Sequence, residues 1–365
     1  IVFTQREVWP TLAEEAAARG VPTVLIAGTL PQGAGRLSGP GRILLGAAFR
    51  TLRSVAAVSK EDGDRFGLLG VTSDRVTVTG DPGIDAARDR LDEIDHGASH
   101  MRIFGAGFEG AGGAILEEGA PEVGALGVDA AGVGAAVPGA PVLVAGSTWP
   151  SDEAVLLPAL ARARRSIPGL RIVLAPHEPE GYDFAGLGRR LAADGWIPAI
   201  LGEIEGAKRA PDAIPGEIER SPAPDAILVD RVGVLADLYT VASVAYVGGG
   251  FHKGGLQGGL HKGGLHSVVE PAAAGVPVLV GPRYQGSVHA TRLLAAGAVR
   301  AVADADALAQ ALEEWLETPE KIEVPGRRAS DYIQEHRGAA ERTAPLITQF
   351  FPRQAGPGTL SGAET

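Results

Sequence analysis

Short aliphatic runs that alternate with helical stretches are the feature that most constrains how this chain can fold. The first part of the chain shows such runs at Ile1–Phe3, Thr23–Ala27, Val55–Val58 and Val76–Thr79. The stretches between them, such as Lys60–Leu69, have helical spacing. Strands that alternate with helices pair in parallel and are covered by the helices on both faces. The pattern therefore predicts an α/β fold.

The second half of the chain repeats this pattern more clearly. Its aliphatic runs are Val142–Ala145, Arg171–Ala175, Ala226–Val229, Val244–Val247, Val278–Val280 and Ala298–Val302. Ser151 is a suitable N-cap, with Asp152 and Glu153 in the positive first turn of the helix that follows. We expect Asp304 to cap a helix that extends through Leu316. A final helical stretch, Arg327–Phe351, is predicted to break near Pro345.

A glycine-rich acidic segment separates the two halves. Residues 91–140 contain 12 Gly, one basic residue and eight acidic residues, which is typical of a linker or insertion. The predicted organisation is therefore a first domain over 1–90, this linker, a second domain over 141–352 and a disordered tail over 353–365. Because the chain opens on an apolar run without an initiator Met, we interpret the first domain as incomplete.

Composition and motifs exclude several classes of function. The net charge of −11 argues against a nucleic-acid partner, and no apolar run is long enough to span a membrane. The absence of Cys rules out thiolate metal sites and Cys nucleophiles. The phosphate-binding motifs of P-loop and dinucleotide-binding proteins and the nucleophile elbow of α/β hydrolases are also absent. No cofactor is predicted.

Polar and glycine-rich loops follow the predicted strands of the second half. Ligands of open parallel sheets bind beyond the carboxyl ends of the strands, so these loops form the candidate site. We expect Gly248–Gly250 to bring free backbone amides to a phosphate or sugar, although a simple turn is the alternative. Ser147 and Thr148 either start a helix or donate to the same ligand. Glu270 stands among apolar neighbours and needs a partner or a ligand.

Three histidines, His252, His261 and His266, lie close together in the sequence and raise the question of a metal site. No motif with metal-ligand spacing accompanies them, so no metal is predicted. Solvated side chains on a glycine loop are the favoured interpretation for His252 and His261. The sequence His-Lys-Gly-Gly-Leu occurs at 252–256 and again at 261–265, and this local duplication lengthens one loop.

An ordered series of motifs resembles one family, the Kdo transferases, which move 3-deoxy-manno-octulosonate (Kdo) from CMP-Kdo to a lipid A precursor. Gln5–Pro10 is similar to the family's Glu-Thr-Glu-Leu-Trp-Pro and retains Glu7, Trp9 and Pro10. The other matching segments are Asp62–Gly70, Val76–Asp85, Gly146–Thr148, Pro176–Glu178, Gly248–Gly249, His266–Pro271 and Gly281–Pro282.

This resemblance implies two Rossmann-like domains of the GT-B glycosyltransferase type that face each other across a cleft, the N-terminal one being incomplete here. The donor would bind mainly to the second domain and the acceptor to the first. Transfer would invert the anomeric carbon, without a metal, at the cytoplasmic face of the inner membrane of a Gram-negative bacterium. Donor-site residues are expected at Gly146, Ser147, Thr148, Pro176, His177, Val232, Gly233, Val234, Leu235, Gly264, His266, Ser267 and Glu270.

The resemblance also implies that the main catalytic base and a peripheral membrane contact lie upstream of Ile1. Glu7 is the acid near the start of the chain that could substitute for that base. The sequence departs from the family at Gly233-Val234-Leu235, where the family has Gly-Glu-Leu, and at His266-Ser267, where it has His-Asn. Pro176-His177-Glu178 stands where many members have Pro-Arg-His. The alternatives are another GT-B nucleotide-sugar transferase or epimerase, or a non-catalytic nucleotide-binding remnant.

Overall fold

The computed structural model describes residues 1–31, 33–96, 98–101, 140–209, 223–252 and 264–351. The chain forms two compact units. The first consists of Ile1–Asp85 together with His336–Thr365, and the second consists of Ala86–Glu335. Most of the predicted linker, residues 102–139, and the predicted tail lie outside the described residues.

The described part of the first unit contains a parallel sheet of four strands. In their spatial order these are β1 (Val2–Thr4), β2 (Val24–Gly28), β3 (Ser54–Ala57) and β4 (Val76–Val78). The helices are α1 (Pro10–Ala18), α2 (Gly39–Thr51), α3 (Lys60–Leu68), the start of α4 (Pro82–Asp92) and the C-terminal α13 (Ala339–Thr348). Phe3, Leu25, Phe49 and Phe66 belong to one buried core in this unit.

The described part of the second unit contains a parallel sheet of seven strands. They are β5 (Val142–Thr148), β6 (Arg171–Pro176), β7 (Pro198–Ile200), β8 (Ala226–Leu228), β9 (Val244–Val247), β10 (Val278–Val280) and β11 (Val299–Ala301). The spatial order is β11-β10-β9-β5-β6-β8-β7. The aliphatic strands predicted from the sequence are therefore confirmed, and β7 is an additional edge strand.

Helices connect the strands of this second sheet. They are the end of α4, then α5 (Pro150–Ser166), α6 (Phe184–Ala193), α7 (Leu201–Arg209), α8 (Leu235–Tyr239), α9 (Val269–Ala273), α10 (Val288–Ala296), α11 (Ala305–Trp315) and α12 (Glu320–Glu335). Leu156 and Leu160 of α5 and Leu308 and Leu312 of α11 pack in one core with the strands. As predicted, the Asp304 side chain caps α11 by accepting from Ala307 N.

The C-terminal helix α13 belongs to the first unit, so the boundary lies at His336 rather than beyond the last helix. Asp85 holds this helix by accepting hydrogen bonds from Gly338 N and Ala340 N, both at 2.7 Å. Arg342 Nε donates to Thr79 O at 2.9 Å. The predicted break at Pro345 is wrong, because Pro345 lies inside α13 and the chain turns at Gly338, whose φ is 79°.

Part of the segment predicted as a linker is ordered. Helix α4 extends to Asp92, and residues 98–101 attach to the second unit. Nε2 of the buried His100 lies 2.7 Å from the Asp237 carboxylate, and Ser99 Oγ donates to Glu205. No helix within the described residues has both the length and the apolar character that crossing a membrane requires.

Candidate functional site

The candidate site lies where the strand order of the second sheet reverses direction. From β5, the chain runs to β6 and β8 on one side and to β9 and β10 on the other. Ligands of open α/β sheets bind at this switch point, outside the carboxyl ends of the strands. The carboxyl ends of β5 and β9 are Gly146–Thr148 and the loop Gly248–Gly250.

The glycine loop is closed by bonds within the protein. Gly248 N donates to Gly146 O at 2.9 Å, and Gly249 N donates to Asp152 Oδ2 at 2.8 Å. The expectation that these two amides are free for a phosphate is therefore wrong. The glycines instead allow one backbone to approach another, because a Cβ on Gly248 would lie 2.1 Å from Ser147 O.

The carboxyl end of β5 has a strained backbone, and buried hydroxyls beside it have no hydrogen-bond partner. Ser147 has a φ of 54°, in the left-handed region that costs a residue with a side chain about 1–2 kcal/mol. Strained backbone of this kind concentrates at ligand-binding sites. Within the described residues, Thr148 Oγ1 and Ser151 Oγ are buried without a hydrogen-bond partner. These hydroxyls flank the start of α5 and point to a ligand or water at this position.

Four aromatic rings gather at the same edge of the sheet. The Trp149 ring centroid lies 4.8 Å from that of His177 and 4.7 Å from that of His252, and His177 and His266 are 4.1 Å apart. His252 is thus half-buried and stacked on Trp149, so the interpretation of a solvated side chain is wrong. His261 lies outside the described residues. We call Trp149, His177, His252 and His266 the Trp149 cluster.

His266 is the electrostatically unusual member of the cluster. Burial, followed by the neighbouring His177 and His252, lowers its pKa from 6.5 to about 4, against an opposing effect of Asp152. Trp149 Nε1 donates to His266 Nε2 at 3.0 Å. This hydrogen bond assigns the ring a neutral form with its proton on Nδ1.

Asp152 is a site residue that the sequence assigned only to helix stabilisation. Its carboxylate is 0% exposed and lies in the first turn of α5. Besides Gly249 N, it accepts from Trp149 N at 3.0 Å, Tyr246 Oη at 2.9 Å and Phe251 N at 3.3 Å. A buried carboxylate with so many partners from distant residues is a signal that only the structure provides.

The remaining residues predicted for the donor site divide into two groups. Leu235 and Gly264 are close to the switch point: a Cβ on Gly146 would lie 2.7 Å from Leu235 Cδ2, and one on Gly249 would lie 2.1 Å from Gly264 O. Pro176 pairs with Thr148 at the end of β6. The second group consists of four residues. Val232 and Gly233 are exposed in the loop before α8, Val234 is buried there, and Ser267 Oγ accepts from Val269 N.

The two predicted acidic site residues both have basic partners. Glu270 lies in the first turn of α9, and its side chain, 32% exposed, forms an ion pair with Arg90. Glu7 follows β1 in the first unit and is 70% exposed, with its Oε1 3.8 Å from Arg36 Nη2. Among the residues that the structure describes, no group of three or more His, Asp and Glu side chains is arranged to hold a metal ion.

Comparisons with known proteins agree with this architecture. Residues 1–86 match the profile of the 3-deoxy-D-manno-octulosonic-acid (Kdo) transferase family. The chain is 29% identical to the 3-deoxy-D-manno-octulosonic acid transferase of Bordetella pertussis over 354 residues, 96% of this chain and 69% of that protein. It is 22% identical to the Haemophilus influenzae transferase over 356 residues, 96% of this chain and 70% of that protein.

A solved structure extends the comparison to the fold. UDP-GlcNAc 2-epimerase from Neisseria meningitidis, bound to UDP-GlcNAc, aligns with a TM-score of 0.56 and 13% identity, covering 95% of this chain and 75% of that chain. Two Rossmann-like units of parallel α/β architecture define a protein of the GT-B class. The similarity to 3-deoxy-D-manno-octulosonic acid transferases extends over 96% of the chain, and its first 86 residues match the family model, which confirms the resemblance found in the sequence.

Proposed function

We propose that this protein transfers Kdo from CMP-Kdo to a lipid A precursor and that the second unit binds the donor. The observation that carries the proposal is the convergence of Gly146–Thr148, the Trp149 cluster and the glycine loop at the switch point of the second sheet. Nucleotides bind at this position in doubly wound sheets. The names of the Bordetella and Haemophilus relatives support Kdo as the transferred group.

The proposed reaction is a single displacement that inverts the anomeric carbon of Kdo. A general base accepts the proton of the acceptor hydroxyl, the oxygen attacks the anomeric carbon, and CMP leaves with the bonding electron pair. The unpartnered hydroxyls of Thr148 and Ser151, at the positive start of α5, are suited to stabilise the phosphate of the leaving group. CMP carries one phosphate, so no metal is needed to bridge a diphosphate.

Glu7 is the candidate general base within this chain. It follows a parallel strand and is largely exposed, so it is accessible to an acceptor. Because a lipid A precursor is a membrane lipid, we place the reaction at the cytoplasmic face of the inner membrane of a Gram-negative bacterium.

The second candidate function is that of a nucleotide-sugar epimerase. The fold similarity to the Neisseria epimerase favours it, since that protein was solved with UDP-GlcNAc. An epimerase of this kind would prefer UDP over CMP, whereas a Kdo transferase would prefer CMP. The nucleobase therefore separates the two functions.

The test is to titrate the full chain with CMP and with UDP by calorimetry and then to assay CMP-Kdo with a lipid A precursor. We expect CMP to bind at least about 10-fold more tightly than UDP and Kdo to appear on the acceptor. Tighter binding of UDP would favour the epimerase. CMP binding without transfer, in an assay where a Kdo transferase control is active, would favour a nucleotide-binding remnant.

A further inference from the structure

The hydrogen bonds of Asp152 connect three separate parts of the second unit. Oδ1 accepts from Tyr246 Oη on β9 and from Phe251 N, while Oδ2 accepts from Trp149 N and Gly249 N. All four partners are donors, so both carboxylate oxygens of Asp152 act as acceptors. Burial raises the pKa of Tyr246, which keeps its hydroxyl protonated and able to donate.

The first unit contains a similar arrangement around Asp62. Asp62 is 0% exposed in the first turn of α3, and its Oδ1 accepts from Leu30 N, in the loop after the neighbouring strand, at 2.7 Å. One feature differs, because Arg65 Nη2 lies 3.0 Å from Asp62. The four donors to Asp152 are instead neutral groups. Each unit therefore uses a buried Asp at a helix start to fix the loop that follows an adjacent strand.

A carboxylate beside the proposed donor site is electrostatically unfavourable for an anionic ligand. The position of Asp152 is explained if its hydrogen bonds favour ligand binding by more than its negative charge disfavours it. The loop that Asp152 holds leads directly to His252, which stacks on Trp149. A loop that is already ordered loses no further conformational entropy when the ligand binds.

We propose that Asp152 is a positioning residue that presets the Gly249–His252 loop for the nucleotide of the donor. This inference rests on the proposed function. Asp152 does not touch the nucleotide but acts through the backbone N–H groups of Gly249 and Phe251. An Asn at this position presents an NH₂ group to donors on one side, so two of the hydrogen bonds are lost.

The experiment compares Asp152→Asn with two matched variants in the full chain. Asp62→Asn removes the corresponding carboxylate of the first unit, and Tyr246→Phe removes one donor to Asp152 without touching the loop. Hydrogen exchange of the peptide that covers residues 248–252, thermal unfolding and CMP affinity are measured for each. Asp152→Asn is expected to accelerate exchange of this peptide and to weaken CMP binding about 10- to 100-fold.

The controls distinguish positioning from general stability. Tyr246→Phe and Asp62→Asn are expected to lower the unfolding temperature but to keep CMP affinity within about threefold of wild type, because they leave the loop bonds intact. Wild-type CMP affinity in a folded Asp152→Asn variant would overturn the proposal. Equal losses of affinity in Asp152→Asn and Tyr246→Phe would overturn it as well.

Measurements on the wild-type protein keep the proposal testable if Asp152→Asn does not fold. The peptide 248–252 should exchange slowly before CMP is added and should change little on addition. Rapid exchange that slows only with CMP would overturn the proposal, since the loop would then be ordered by the ligand. If wild type binds no CMP, the proposed function fails, whereas slow exchange would still establish the preset loop as a separate result.

Discussion

Arg90 Nη1 lies 3.3 Å from Glu270 Oε1, so the acid that the sequence analysis placed in the donor site already has a cation beside it. Both side chains are partly exposed, and an ion pair of this kind contributes little to stability. We expect Glu270 to accept hydrogen bonds from the ribose hydroxyls of CMP. Glu270→Ala should then weaken CMP binding by about 1–3 kcal/mol, the usual effect of losing charge-assisted hydrogen bonds. Calorimetric titration with CMP measures the change.

Arg90→Ala is the matched variant for this prediction. It removes the ion pair but leaves the Glu270 carboxylate available to the ribose, so CMP affinity should change far less than in Glu270→Ala. Equal losses in the two variants would mean that the ion pair itself matters and that Glu270 does not contact the nucleotide.

The second prediction concerns the pH dependence that His266 gives the fold. Its pKa is about 4 in the folded protein, against an ordinary value of 6.5. As the pH falls from 6.5 to 4, the unfolded chain takes up a proton that the folded protein does not, so the free energy of unfolding decreases. Above pH 6.5 this effect is absent, and below pH 4 it is complete. Urea unfolding at several pH values measures it.

His266→Asn isolates this contribution from those of other titrating groups. Asn does not titrate and still offers an acceptor to Trp149 Nε1. The free energy of unfolding of this variant should fall less steeply between pH 6.5 and 4 than that of wild type. Parallel curves for the two proteins would show that His266 does not resist protonation in the folded state.

The third prediction concerns the attachment of the C-terminal helix. Asp85→Ala removes the acceptor of the Gly338 and Ala340 N–H groups at the start of α13. Loss of such a cap should lower the free energy of unfolding by about 1–2 kcal/mol and accelerate hydrogen exchange in residues 339–348. Asp89→Ala, an exposed position on the same helix α4, is the control and should leave both unchanged. Unaltered exchange in Asp85→Ala would contradict the role of Asp85.

The fourth prediction compares the two units. The described sheet of the first unit has four strands, of which β1 and β4 have three residues each, whereas that of the second unit has seven. β1 lies at the sheet edge, with Ile1 and Val2 each 43% exposed. Hydrogen exchange should therefore be faster in β1–β4 than in β5, β6 and β9. Equal protection in both sheets would contradict this expectation.

The central strands could be predicted from the sequence because their environment is uniform. Val244–Val247 and Val278–Val280 are buried on both faces, so only aliphatic residues fit and the run has clear ends. The edge strand Pro198–Ile200 is half-buried and starts with Pro, so it leaves no such run. Helix α2 begins with Gly-Pro-Gly, which does not resemble a helix in a sequence.

The site was only partly predictable for a different reason. The loops could be located because the topology of a parallel sheet brings strand ends to one edge. The role of Asp152 could not, because three of its donors come from residues 94, 97 and 99 positions away. In the sequence, the acid at position 152 is already explained by its favourable interaction with the positive first turn of a helix. The inward stacking of His252 likewise depends on Trp149, which is remote in sequence.

The close backbone contacts at the switch point also set a boundary for directed evolution of this protein. A Cβ on Gly250 would lie 2.6 Å from Gly281 Cα, and one on Gly146 would lie 2.2 Å from Tyr239 Oη. A side chain at either glycine would therefore displace its neighbours, and we expect substitutions there to destabilise the fold. Ser147, Trp149 and His177 have partly accessible side chains at the same edge, and mutagenesis aimed at a new sugar donor should begin with them.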